Sequence, residues 1–276
     1  MIIKLDNHSI YSTNNKSELP KNIIPIIFIH GFTGSSQDWK DVIIHIDKRF
    51  EPIAIDLFGH GQSDSPNEIK YYTTEGINEQ IKKIFQHYNI SQAVVCGYSM
   101  GGRAALSFAL NNPQLINALI LESSTAGISG FGERERRRKD DLNLANIIIE
   151  KGVEPFIEFW LQLPIFSSQK FLPKEKLSEL KAQKLINSKI GLSNSLTGFS
   201  TGSMPNYWDQ IELLKMPVKL LVGERDTKYV KINKKLNELI ENSSLSIIAN
   251  SGHNTHLEKP TEFVSLINHF IGNLFK

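Results

Sequence analysis

The pentapeptide Gly97-Tyr98-Ser99-Met100-Gly101 sets a hydroxyl between two glycines. A serine hydroxyl becomes a useful nucleophile or base only when an imidazole takes its proton, and the imidazole needs a carboxylate to hold its tautomer. Both partners occur downstream, in the order expected of a triad whose serine stands at a strand-to-helix turn: Asp226 in "LLVGERDTKY" and His253 in "IIANSGHNTHLEKP". The pentapeptide alone arises by chance in roughly one chain in ten of this length. Its context carries the weight, because "VVCGYSMGGRAAL" puts a β-branched run before the serine and helix formers after it. The flanking glycines let the backbone turn sharply there. Upstream, "FIHGFTGS" follows another apolar run, and the backbone amide of Phe32 with that of Met100 would face a developing oxyanion. The glycine-rich "IDLFGHGQSD" reads as a structural turn at least as well as a catalytic loop.

These residues need a scaffold that brings strand ends together. Short apolar runs at 23–29, 52–56, 93–97, 118–123, 218–223 and 245–249 alternate early on with helical patterns such as "TEGINEQIKKIFQHY". Such alternation predicts an α/β fold with a mostly parallel central sheet buried on both faces. From 128 to 214 the strand signal stops, and "ERERRRKDDLNLANIIIEKG", "VEPFIEFWLQL" and "PKEKLSELKAQKLINS" follow as helical segments. The expected organisation is a core of 1–127 and 215–276 with a helical cap, 128–214, inserted between two strands.

Composition narrows the partners. A formal net charge of +2 gives no global electrostatic case for nucleic acid or a membrane surface. The first residues hold no apolar stretch of signal-peptide length, and no 18-residue apolar run occurs elsewhere, so a cytoplasmic protein is expected. The lone Cys96 allows no internal disulfide and reads as a buried, inert thiol. His30, His60 and His256 show no metal-ligand spacing, and neither metal nor cofactor is expected. One local charge run remains, "GERERRRKDD" at 132–141. On a helix, Arg134, Arg137, Arg138 and Asp141 share a stripe, while Arg136 and Lys139 fall off it. Glu133 with Arg137 and Glu135 with Lys139 are spaced as i,i+4 ion pairs. The interleaved acids and the lack of aromatics argue against a nucleic-acid patch.

With H-G-F, D-x-x-G-H-G-x-S, G-x-S-x-G and G-E-R-D followed by G-H-N, the chain resembles the α/β-hydrolase superfamily from about residue 20 to its end. "GYSMGGR", "ERERRRKDD", "FWLQLPIF", "GERDTKY" and "SGHNTHLE" make it similar to the 2-succinyl-6-hydroxy-2,4-cyclohexadiene-1-carboxylate synthases of menaquinone biosynthesis. The resemblance implies a lyase acting on 2-succinyl-5-enolpyruvyl-6-hydroxy-3-cyclohexene-1-carboxylate, with Ser99 as general base and pyruvate as leaving group. It also implies cations for a small tricarboxylate substrate: Arg103, then Arg137 in the cap run beside Arg134 and Arg138. A third arginine of the family pattern falls on Lys184, a departure that keeps charge but loses the bidentate fork, with Lys181 and Lys189 nearby. Trp160 matches an aromatic over the substrate, though a cap-core anchor is its competing role, and Tyr98 would line the pocket. A serine esterase or carbon-carbon bond hydrolase for an acidic substrate would use the same triad. A non-catalytic small-molecule receptor is a third reading, and oligomeric state stays open.

Overall fold

The computed structural model describes residues 1–276 except Ser17 and Lys21. Eight strands form one sheet in the order β1-β2-β4-β3-β5-β6-β7-β8: β1 (Ile2–Leu5), β2 (His8–Ser12), β3 (Ile24–Ile29), β4 (Phe50–Asp56), β5 (Ala93–Tyr98), β6 (Ile116–Glu122), β7 (Val218–Gly223) and β8 (Ser243–Ile248). From β4 to β8 every pairing is parallel, while β1-β2 and β2-β4 are antiparallel. The α/β expectation holds, with one addition. The N-terminal hairpin, turning at Asp6 with φ 51°, extends the sheet by two strands that the opening residues did not announce.

Alternation along the strands supplies both faces of the core. Ile27, Ile29 and Val95 point into one apolar cluster, and Ile26, Phe28 and Cys96 point into the other. The first cluster is closed by α2 (Thr74–His87), α3 (Met100–Asn111) and α8 (Thr227–Leu239); the second is closed by α1 (Lys40–Ile43) and α10 (Pro260–Leu274). Helix α2 shows the local logic. Thr73 caps its N-terminus by accepting from the Gly76 amide at 3.3 Å, and Ile77, Ile81 and Ile84 at helical spacing bury one stripe. A single-turn helix, α9 (Thr255–Glu258), precedes α10.

Between β6 and β7 lie α4 (Phe131–Lys151), α5 (Val153–Leu161), α6 (Lys174–Leu185) and α7 (Lys189–Phe199). Ala145, Ile148, Phe156, Ile157, Leu192 and Leu196 give these helices a small core of their own. Met204, Tyr207, Ile211 and Leu214 pack instead into the large core cluster, so the chain after Phe199 joins the sheet layer although it lies within 128–214. The insertion is pinned where α7 crosses the loop after β4. A Cβ on Gly191 would stand 2.2 Å from Gly59 Cα, so both positions demand glycine. Beside the crossing, Asn187 donates to the Thr33 carbonyl at 2.8 Å and accepts from the Gly61 amide at 2.9 Å.

Candidate active site

Three loops at the carboxyl ends of parallel strands converge on Ser99. The serine follows β5 and adopts φ 51° and ψ −105°, a strained conformation for an L-residue that costs about 1–3 kcal/mol. Close packing explains its two glycines: a Cβ on Gly97 would lie 2.2 Å from the Gly101 carbonyl oxygen, and one on Gly101 would lie 2.1 Å from that of Ile29. Strand and helix therefore touch through bare backbone, and the turn is held by the Ser99 amide donating to the Glu122 carbonyl at 2.9 Å. His253, on the loop after β8, places Nε2 2.9 Å from Ser99 Oγ. Its Nδ1 donates to Asp226 Oδ2 at 2.6 Å. Asp226 follows β7 and caps α8, accepting from the Tyr229 amide at 3.4 Å. The structure thus brings Ser99, His253 and Asp226 into one hydrogen-bonded chain.

Around this chain the backbone is positively polarised. Phe32 follows β3, and its amide donates to no other group among the described residues. Met100 is the first residue of α3, where helix geometry leaves the amide free. His30 holds the Phe32 loop in place: its Nε2 accepts from the Leu57 amide at 3.1 Å, so Nδ1 carries the proton donated to the Gly31 carbonyl at 2.8 Å. Burial lowers the His30 and His60 imidazoles below the usual range, which suits neutral, structural roles. The glycine-rich loop after β4 is a turn organised by Asp56, whose carboxylate accepts from the Ser36 and Gln62 amides. Among the described residues no three His, Cys, Asp or Glu side chains converge as metal ligands.

Above Ser99 the inserted helices close a cavity of about 340 Å³, which Tyr98, Arg103, Arg137, Trp160 and Lys184 all help to line. Arg103 is buried, and its Nη1 donates to the Phe199 carbonyl at 2.6 Å with Met204 Sδ at 3.6 Å. No carboxylate meets it among the described residues, and burial pushes its guanidinium down to about 10. Lys184 is also buried, with Nζ donating to Thr33 Oγ1 at 3.1 Å, and burial lowers its ammonium too. Trp160 packs edge-on to Phe32, 5.2 Å between ring centres, and its Nε1 is buried without a partner among the described residues. Tyr98 lies 5.4 Å from the His253 ring, and burial raises its phenol well above the usual value. Lys181 pairs on the surface with Glu158, and Lys189 is exposed.

Helix α4 corrects the pairing expected within the arginine run. Glu133 and Glu135 do not hold Arg137 and Lys139. Arg137 turns inward to Asp141, Nε to Oδ2 2.7 Å, while Arg138 lies 3.9 Å from Glu135. The cause is burial: the Asp141 carboxylate is only 2% exposed and must be compensated, whereas Glu133 stays in solvent. Burial works against the Arg137 charge, but the Asp141 bond and charge prevail and raise it. Arg134 sits on the same inner side and donates to the Gly202 carbonyl at 3.2 Å.

A model of the alpha/beta hydrolase fold matches residues 24–260. A Bacillus subtilis protein named as a putative 2-succinyl-6-hydroxy-2,4-cyclohexadiene-1-carboxylate synthase is 38% identical over 90% of both chains. The chain belongs to the α/β-hydrolase family, in its synthase branch. Another putative synthase of that branch, from Haemophilus influenzae, is 30% identical over 90% of this chain and 98% of its own. The solved structure of MenH from S. aureus covers 99% of this chain and 100% of its own, at 33% identity and a TM-score of 0.89. An α/β-hydrolase structure further away, an esterase from Thermogutta terrifontis with malate bound, shares the fold at a TM-score of 0.86 and 20% identity, over 100% of this chain and 99% of its own.

The site also contains residues that sequence patterns did not single out. Tyr229 is half-buried within charge range of Arg103 and Arg137, and its ring lies 4.6 Å from that of His253. It stands three residues after Asp226 on the first turn of α8, a spacing that faces it toward the triad. Ser195, Leu196 and Phe199 enter the cavity from α7, where small and polar residues dilute a short apolar stripe.

Proposed function

We propose that this chain eliminates pyruvate from 2-succinyl-5-enolpyruvyl-6-hydroxy-3-cyclohexene-1-carboxylate to give 2-succinyl-6-hydroxy-2,4-cyclohexadiene-1-carboxylate. One observation carries the reading beyond the family name: a serine triad stands under a cavity lined by Arg103, Arg137 and Lys184, of which Arg103 meets no protein carboxylate among the described residues. A substrate with three carboxylates suits that lining, and an uncharged ester does not use it. The ring names define the chemistry. The 3-ene becomes a 2,4-diene, so the proton leaves ring carbon 2, beside the succinyl ketone, and the carbon-oxygen bond at carbon 5 breaks.

Ser99 Oγ, relieved of its proton by His253 Nε2, removes the ring proton. Negative charge develops on the ketone oxygen, where the Phe32 and Met100 amides stabilise it. Electrons then return through the ring, the double bond migrates, and the carbon-oxygen bond at carbon 5 breaks to release the enolate of pyruvate. The imidazolium, held by Asp226, supplies the proton that completes pyruvate. Arg103 and the cap cations orient the substrate, and the aromatic walls of Trp160 and Tyr98 exclude water.

The test is direct: supply the enzymatically made enolpyruvyl precursor and follow pyruvate together with the conjugated diene. Acceleration well above the spontaneous elimination is expected. No acceleration, or turnover of aryl esters in its place, would overturn the assignment in favour of a hydrolase.

A further inference from the structure

Behind the triad lies a second buried carboxylate that the proposed chemistry does not use. Glu122 ends β6 with its side chain fully buried. Its Oε1 accepts from the Thr255 amide at 2.6 Å, the Thr255 hydroxyl at 2.7 Å and the His256 amide at 3.0 Å. Its Oε2 accepts from His256 Nδ1 at 2.6 Å. Four donors thus come from two consecutive residues, the second and third after His253. The His256 ring is stacked on Trp39, 4.1 Å between centres, and meets the edge of Tyr98 at 5.0 Å. Tyr98 in turn adjoins His253. The main chain of Glu122 also receives the Ser99 amide.

From this geometry we infer that Glu122 is a positioning residue for the triad: its carboxylate fixes the loop that carries His253, while its carbonyl fixes the turn that carries Ser99. A carboxylate desolvated this completely is retained only where its hydrogen bonds are satisfied, and here they are spent on the segment that must hold one imidazole within tenths of an ångström of a hydroxyl. Among the described residues His256 Nε2 has no partner, so the ring acts as a one-ended strut between Glu122 and the Trp39–Tyr98 stack. The inference rests on Ser99, His253 and Asp226 acting as the triad, whatever substrate they serve.

Glu122→Gln keeps the shape but presents an amide N–H₂ where His256 Nδ1–H now donates, so the His256 ring must turn away or move its proton to Nε2. The expected result is a fall in kcat of about 10²-fold, the scale of a small misplacement of catalytic groups, with KM unchanged. The low-field proton resonance of His253 Nδ1–H should shift or broaden in the same variant without substrate. That readout separates failure of this inference from failure of the substrate assignment. Wild-type kcat with only a lowered melting temperature, or an unmoved resonance, overturns positioning in favour of a plain structural role. Should Glu122→Gln not fold, Thr255→Val decides: it removes one hydroxyl donor, and kcat should fall about fivefold with KM intact, whereas unchanged kcat overturns the inference.

Discussion

Arg103 holds its charge beside a carbonyl and a thioether, with the Phe199 ring 5.0 Å from its guanidinium carbon. A cation desolvated without an acid partner gains most when an anion arrives, so Arg103→Ala should raise KM roughly tenfold or more, measured by steady-state kinetics. Ser99→Ala should behave in the opposite way, cutting kcat by about 10²–10⁴-fold while leaving substrate affinity nearly intact in a binding titration. Lys184 adds a dependence on pH. Burial lowers its ammonium, the form that binds a carboxylate and the form lost as pH rises. KM should therefore climb on the alkaline side at lower pH than an ordinary lysine would dictate, and Lys184→Arg should flatten that climb. A wild-type KM flat through this range would remove Lys184 from the binding set. These side chains were legible in the sequence because loop context and family motif mark them. The partner of Arg137 was not: i,i+4 spacing fits Glu133 and Asp141 equally, and only packing decides which carboxylate is buried.

The parallel strands announced themselves because burial on both faces forces continuous apolar runs. Helix α7 and the hairpin of β1 and β2 did not. "KIGLSNSLTGF" lies against other backbone through Gly191 and Gly198, and its buried stripe is only three apolar residues, Leu192, Leu196 and Phe199, among small and polar ones. Its Gly191 sits within contact of Gly59 and gives a sharp test. Gly191→Ala should destabilise the protein by about 1–3 kcal/mol, read as a lowered melting temperature, and should raise KM because Ser195, Leu196 and Phe199 move with the helix. An unchanged melting temperature would mean the crossing is looser than its atoms indicate.

Across the whole molecule the charges almost cancel, while the cavity over Ser99 gathers Arg103, Arg137, Lys184 and Lys228 against Asp38, Asp140 and Asp141. A trianion approaching such a surface feels a local field, which salt screens over roughly 10 Å at 0.1 M. The second-order constant kcat/KM should fall as potassium chloride is raised while kcat holds steady; a kcat/KM indifferent to salt would mean that charge acts only after docking. No helix among the described residues is long and apolar enough to cross a membrane. The triad, the oxyanion amides and Arg103 belong to the sheet layer, whereas Arg137, Trp160 and Lys184 come from the inserted helices. In the proposed reaction the core thus supplies the reacting groups, and recognition is shared between Arg103 of the core and the inserted helices. The bare contact of Gly59 with Gly191 then sets a rule for their exchange: a foreign cap grafted onto this core needs its own glycine at the crossing. Lineages that traded one cap for another would be expected to have changed both sides of that seam together.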